Sequence, residues 1–183
     1  EAKSTVTWPY AVSSDPSISS PSIIAYATAN PTTFIKYNSS NYDWYYAGGS
    51  SYTDNTRWTT STATKSIYDP CPSGWRVPDG VNNDIWSKAL GSSSDFEVLY
   101  DSTNEGMNFS GKFGSASTIW YPASGYRSYD YGSLSCVGNS GNYWSASPIN
   151  SHAFYLCFYY DGNVFPSSNY SRALGQSVRC LQE

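Results

Sequence analysis

The sequence predicts an α+β domain in which one helix is set among many short strands. A single apolar stripe has helical spacing: Ile85, Trp86, Ala89 and Leu90, with Asp79 placed to cap its start and Gly91 to stop it. The other apolar runs are short, rich in Tyr, Trp, Phe and Val, and bounded by Gly, Pro, Asn and Asp. Self-similarity at a period of roughly 20–50 residues is lacking, which sets repeat architectures aside.

Residues 1–33 are expected to form an extended arm or a linker from a preceding domain. Pro9, Pro16, Pro21 and Pro31 punctuate them, and the apolar pieces 8–12 and 23–27 are short, so strands rather than helices are expected. The domain proper is expected over 34–183. Residues 32–37 (TTFIKY) form a strand; residues 41–51, with Trp44, Tyr45 and Tyr46 ahead of Gly48 and Gly49, form a loop or short hairpin. The segment 68–80 (YDPCPSGWRVPDG) is the firmest local signal. Its prolines and glycines fix a compact turn system, with Trp75 and Val77 as apolar anchors. The helix follows, and a second short helical piece is expected near 95–100. Beyond it, 107–111 and 117–122 are strands, and Gly125-Tyr126-Arg127 opens a looped stretch. Residues 141–147 (GNYWSAS) form a strand centred on Trp144, 153–160 is placed to pair with it, and Asp161-Gly162-Asn163 is a hairpin turn. Residues 175–181 close the chain as a strand.

At 183 residues the chain suits one domain, or one with an arm, and hydrophobic residues at 39 % suffice for a core. No apolar run approaches the ~18 residues of a membrane-spanning helix, so no direct membrane span is expected. No basic-then-apolar leader precedes Glu1, so any export signal is expected outside this chain. The net charge of -4 argues against a phosphate-binding surface, and hence against nucleic acid as a partner. Charged residues are only 13 %, while aromatics reach 17 % with 18 Tyr and 7 Trp. A Tyr-, Ser-, Asn- and Gly-rich surface resembles an antibody paratope more than an enzyme cleft. That aromatic content also argues against disorder.

The cysteines Cys71, Cys136, Cys157 and Cys180 form no CxxC pair and have no histidine at ligand spacing. This argues against structural zinc, and no metal or other cofactor is expected. The one histidine, His152, lacks a sequence-local partner for a triad or an HExxH helix and reads as a surface residue. No catalytic residue is expected.

Five motifs run in order: DPCPSGWRVP (69–78), GMNFSGKFG (106–114), GYR (125–127), YWSAS (143–147) and GQSVRC (175–180). Together they give the chain, from about residue 30 onward, a resemblance to a Bacteroidetes surface domain. That domain is often the C-terminal part of fimbrillin-like proteins and lipoproteins, and it resembles the C-type lectin fold. The resemblance implies a C-type-lectin-like domain with one main helix, short and mostly antiparallel strands, and long loops. It also implies that the chain end lies beside the early strands, which brings Cys71 and Cys180 into a disulfide; the alternative is two buried thiols. A disulfide would place the protein outside the cell, at its surface. Cys136 and Cys157 stay open between a second pair and two free thiols.

The group resembled includes proteins diversified by retroelements that rewrite adenines in a C-terminal segment. The genetic code offers a check. Randomising the adenines of an AAC or AAT codon reaches Tyr, Ser, Asn, Asp, His, Cys and Phe among others, but never Lys, Glu, Gln, Met or Trp. Between Gly125 and Gly175 there is no Lys, Glu, Gln or Met, and the one Trp is Trp144 within YWSAS. The variable-looking segment is therefore 125–175. Its candidate ligand-binding residues are Ser128, Tyr129, Asp130, Tyr131, Ser135, Cys136, Ser140, Asn142, Ile149, Asn150, His152, Phe154, Cys157, Tyr159, Tyr160, Asp161, Phe165, Ser168, Asn169, Tyr170 and Ser171. Tyr supplies rigid amphipathic contact area and the small polar residues adaptable hydrogen bonds. A specific interface of ~800 Å² per partner needs roughly 20 such residues. Alternation along 153–160 sends every second side chain inward.

These features predict a non-enzymatic adhesin or receptor-binding module of the cell surface or a pilus tip. Its expected partner is a protein or glycan on another cell or a host surface, with other pilus subunits as further candidates. The resemblance also raises a calcium-dependent sugar-binding lectin, but the EPN, QPD and WND motifs of such lectins are absent. Asp130 and Asp161 alone make a poor calcium cage. A structural pilin subunit, with residues 1–30 as a donor strand, is another reading. The fold resembled also hosts formylglycine-generating enzymes, which use a cysteine pair; nothing near Cys136 and Cys157 in sequence except His152 would activate them.

Overall fold

Asp69 holds the proline-rich turn together. Its carboxylate accepts the backbone N–H of Cys71 at 2.8 Å and that of Val77 at 2.9 Å, closing both ends of the motif on one buried side chain. Lys65 Nζ lies 3.6 Å from that carboxylate and donates to the carbonyls of Cys71, Pro72 and Trp75. Val77 is fully buried as the anchor it was expected to be, whereas Trp75 is 41 % exposed. Trp75 stands on a two-residue strand at the surface rather than in the core.

The computed structural model describes residues 10–12, 23–36, 55–59, 64–81, 85–90, 100–109 and 119–183. Among them are β1 (Tyr10–Val12), α1 (Ile23–Ala29), β2 (Phe34–Lys36), β3 (Trp75–Arg76), α2 (Ile85–Leu90), β4 (Tyr100–Asp101) and β5 (Gly106–Asn108). There follow β6 (Trp120–Pro122), β7 (Tyr126–Arg127), β8 (Leu134–Ser135), β9 (Ser140–Ile149), β10 (His152–Tyr159), β11 (Val164–Ser171) and β12 (Leu181–Gln182). No helix among the described residues is long and apolar enough to cross a membrane.

The expected α+β, C-type-lectin-like fold with one main helix is not what the chain adopts. Among the described residues strands account for 43 %, the two helices are short, and the strands divide among several small sheets. The expected helix illustrates why. Residues 78–80 do not open it: the Pro78 carbonyl accepts from Ala146 N–H at 2.8 Å, and Gly80 N–H donates to Ser147 Oγ at 3.1 Å. Asp79 is no cap, since its carboxylate takes Arg76 Nη2 at 2.9 Å. This stretch is an extended strap on β9, and α2 keeps six residues, burying Trp86 and Leu90 one turn apart.

The arm departs from expectation in the opposite sense. Where strands were expected over 23–27 there is helix α1. Asn30 closes it, its backbone N–H and side-chain amide both donating to the Tyr26 carbonyl at 2.9 Å, and Pro31 follows. β1 pairs in parallel with β2, which falls within the strand expected at 32–37. The expected loop at 41–51 lies outside the described residues. So does the helical piece near 95–100, except Tyr100, which begins β4.

The long elements are legible from the C-terminal half. β9, β10 and β11 form one antiparallel sheet in the order β11-β10-β9, with Asp161 to Asn163 turning β10 into β11. Asp161 sets that turn: its carboxylate accepts Asn163 N–H at 3.1 Å and Asn163 Nδ2 at 2.8 Å. Paired residues share a face, so Tyr143, Leu156, Phe158 and Val164 all point inward. There they meet Trp86 and Leu90 of α2 with Met107, Phe109, Tyr121 and Ala123, forming the main core. Phe109 packs edge-on against Tyr121 and Phe158, with ring centroids 5.3 Å and 5.9 Å apart. Gly141 admits the Phe158 ring, which lies 2.1 Å from where a Cβ would stand.

The chain end returns beside the turn motif. β12 pairs with β3, and Cys71 and Cys180 form a disulfide across a sequence separation of 109, with Cα atoms 5.7 Å apart. The short stretch 175–178 bridges singly to Arg127 and Tyr143 rather than forming the closing strand expected over 175–181.

Candidate binding face

The outer face of the β9–β10–β11 sheet gathers most of the large side chains of the variable-looking segment. Register places Tyr155 opposite Trp144 and Ser168, Cys157 opposite Asn142 and Phe165, and Ala153 opposite Tyr170. Along β10 the alternate residues Ala153, Tyr155, Cys157 and Tyr159 therefore line this side. The β7–β8 hairpin lies along β9 through a Gly125–Gly141 bridge and a Gly125 N–H to Ser140 carbonyl bond of 2.8 Å. Gly125 has φ of +63°, and a Cβ there would stand 2.1 Å from the Ser135 carbonyl, so only glycine fits.

A chain of ring contacts crosses the face. Trp144 meets Tyr155 edge-on at 5.7 Å, and Tyr159 meets Phe165 at 6.0 Å. Tyr170 lies 6.4 Å from Tyr129 and stacks on His152 at 6.0 Å. His152 Nδ1 lies 3.3 Å from Asn169 Oδ1. Tyr131, Tyr160, Tyr170, Phe165 and Tyr159 are all exposed, from 70 % down to 40 %. Cys136, Asn150, Asp161 and Asn169 are exposed as well, while Ser128, Tyr129, Asp130, Ser135, Ile149, His152 and Ser168 are half-buried.

Five of the candidates do not belong to this surface. Ser140, Asn142, Cys157 and Ser171 are buried and offer nothing for a ligand to touch. Asn142 Nδ2 donates to Ser140 Oγ at 2.9 Å, and both sit under the hairpin. Cys157 lies beneath it between them and Phe165, and Ser171 Oγ accepts Ala173 N–H at 3.3 Å. Phe154 is half-buried on the opposite side, near Gly80 and Ser145. Two contributors escaped sequence reasoning, Tyr126 and Tyr155. Tyr155 was recoverable, since it stands two residues from Cys157 and four from Tyr159 on an alternating strand.

The thiol and phenol groups of the face keep their protons. Burial pushes the Cys157 thiol up to about 11 and the Tyr155 hydroxyl up to about 12. Burial also raises Tyr126, with its neighbour Cys136 adding to the effect; a hydrogen bond with Cys157 leads the upward shift of Tyr159. Cys136 and Cys157 are both outside any disulfide. Near neutral pH, Cys157 therefore remains a thiol, and these hydroxyls keep their protons and can both donate and accept hydrogen bonds. Among the described residues no three His, Cys, Asp or Glu side chains come together as a metal site. Comparison with known proteins finds no matching family model, no matching curated protein and no matching solved structure.

Proposed function

We propose that this chain is a non-enzymatic binding module that acts at the cell surface or a pilus tip and holds a protein or glycan through the outer face of β9–β10–β11. One observation carries the proposal: Tyr131, Tyr159, Tyr160, Phe165 and Tyr170 stand exposed on one segment, backed by a separate packed core. Exposed aromatics of this number are costly on an inert surface and productive in an interface core. The Cys71–Cys180 disulfide supports an exported location. The motifs of the turn system and the chain end support kinship with fimbrillin-type surface proteins and lipoproteins of Bacteroidetes.

We further propose that the segment is diversified by adenine mutagenesis. Support comes from its freedom from Lys, Glu, Gln and Met across 125–175. The genomic counterpart is a near-copy of this coding segment, adenine-bearing at those codons, beside a reverse transcriptase; a locus lacking both removes the diversification proposal and leaves the binding proposal standing.

Binding is tested with labelled protein on a glycan array and on panels of bacterial and epithelial cells. A Tyr159→Ala, Tyr160→Ala, Tyr170→Ala variant should lose at least tenfold in binding while its melting temperature stays within a few degrees of the parent. Retained binding, or a variant that no longer folds, contradicts the assignment.

A further inference from the structure

The tip of the β10–β11 hairpin carries three exposed rings and one fixed carboxylate. Tyr159 and Phe165 meet edge-on at 6.0 Å on the outer face, and Tyr160 follows at the turn, 63 % exposed. The turn backbone is pinned on three bonds. Tyr160 N–H donates to the Asn139 carbonyl at 2.9 Å, Gly162 N–H to that of Tyr159 at 3.0 Å, and Tyr159 N–H to that of Asn163 at 2.9 Å. Asp161 is exposed on this turn, and its two oxygens take Asn163 N–H and Asn163 Nδ2, one each. Those bonds orient the carboxylate and leave each oxygen a second lone pair. Among the described residues no cation pairs with Asp161. The two arginines of 125–175 are engaged elsewhere: Arg127 donates to the Gly132 carbonyl, and Arg172 to those of Asn150 and His152.

We propose that the partner of this face is a protein that presents an arginine to the hairpin tip, its guanidinium donating to Asp161 and lying against the ring of Tyr160 or Phe165. This rests on the reading of the outer face as a contact surface and names the chemistry of what it contacts. A guanidinium donates through a planar fork that fits a carboxylate, and it also stacks on aromatic rings. Tyr and Phe faces attract such a cation in their own right. A neutral sugar gains less, because its hydroxyls need donors as well as acceptors. The tip's side-chain amide donor, Asn163 Nδ2, is already turned to Asp161. A net charge of -4 on the whole chain adds long-range attraction for a basic partner.

The test pans a random dodecapeptide library on the full chain and measures each enriched peptide by calorimetry. Enriched peptides should carry arginine, and changing that arginine to glutamine should weaken binding at least tenfold. Asp161→Asn keeps an oxygen for Asn163 N–H and removes the charge; it should weaken binding at least fivefold, with far-UV circular dichroism reporting that it folds. The peptide's own substitution reads the same contact without altering this chain. Tyr160→Ala with Phe165→Ala should weaken binding at least tenfold, and raising sodium chloride from about 50 to about 300 mM should weaken it severalfold. Binders indifferent to Asp161→Asn but lost on Tyr160→Ala with Phe165→Ala overturn the arginine assignment and leave the contact face standing. Arginine-free binders, or neutral oligosaccharides that bind the tip more tightly, do the same. Binders indifferent to these variants and to Tyr131→Ala and Tyr170→Ala, or a library that yields no binder, overturn the face reading with it.

Discussion

Phe158 and Phe165 sit on neighbouring strands of one sheet, in the same Tyr-, Ser- and Asn-rich segment, and meet opposite fates. Phe158 is fully buried against Phe109, Tyr143 and Val164, while Phe165 is 43 % exposed beside Tyr159. The difference lies in position rather than chemistry: Phe158 pairs with Val164 on the inner face, and Phe165 pairs with Cys157 on the outer one. A period of two separates a residue that holds the fold from one that is available for contact. One sheet therefore carries a packed core on one face and exposed side chains on the other.

The largest effect should fall on the frame that both faces share. Replacing Cys71 and Cys180 by Ala reopens a loop spanning 109 residues, which costs about 4–5 kcal/mol in the chain-entropy model. Differential scanning calorimetry should show a melting temperature lower by about 10–15 °C; an unchanged value would remove the disulfide from the account. Next comes the inner face. Phe158→Ala should cost about 3–5 kcal/mol in denaturant unfolding, whereas Phe165→Ala should cost about 0.5 kcal/mol or less. Equal costs would erase the distinction between the faces.

A smaller, pH-dependent effect reports on the layer between sheet and hairpin. The Cys157 thiol sits near 11 in the fold against an ordinary value of 9.0, and Tyr155 near 12 against 10.0, both through burial. Each folded value lies above the unfolded one, so unfolding releases protons once the pH passes about 9. The stability these groups contribute is intact below that pH and is lost as pH rises toward 11–12. Urea unfolding at pH 8 and pH 11 should show the decline, and Cys157→Ala should remove about 2 kcal/mol of it. A variant with the parent's full decline would place the thiol in solvent.

The paired strands were legible because their signals are local: GNYWSAS lies within β9, and Asp161-Gly162-Asn163 marks the turn after β10 through Asp161's own carboxylate. The outer face was partly legible. Residue types betrayed the segment, but type alone could not separate exposed Tyr170 from buried Ser171, its neighbour in sequence. That needs the register and the hairpin covering Ser140 and Asn142. The fold class failed for a related reason. The stripe at 85–90 is real, but the residues ahead of it are held by β9 and by Arg76, contacts distant from or invisible to helical periodicity. α1 escapes the sequence pattern because its proline-flanked run is short and its stop is Asn30, bonded to the Tyr26 carbonyl, rather than a glycine.

The most direct test of a fixed core beneath an exchangeable face is to randomise Tyr131, Tyr159, Tyr160, Phe165, Asn169 and Tyr170 together over the residues that NNC codons encode, and to measure thermal unfolding across the library. Most members should unfold cooperatively within about 10 °C of the parent. A library in which most members lose cooperative unfolding would show that these side chains hold the fold, and would contradict the account.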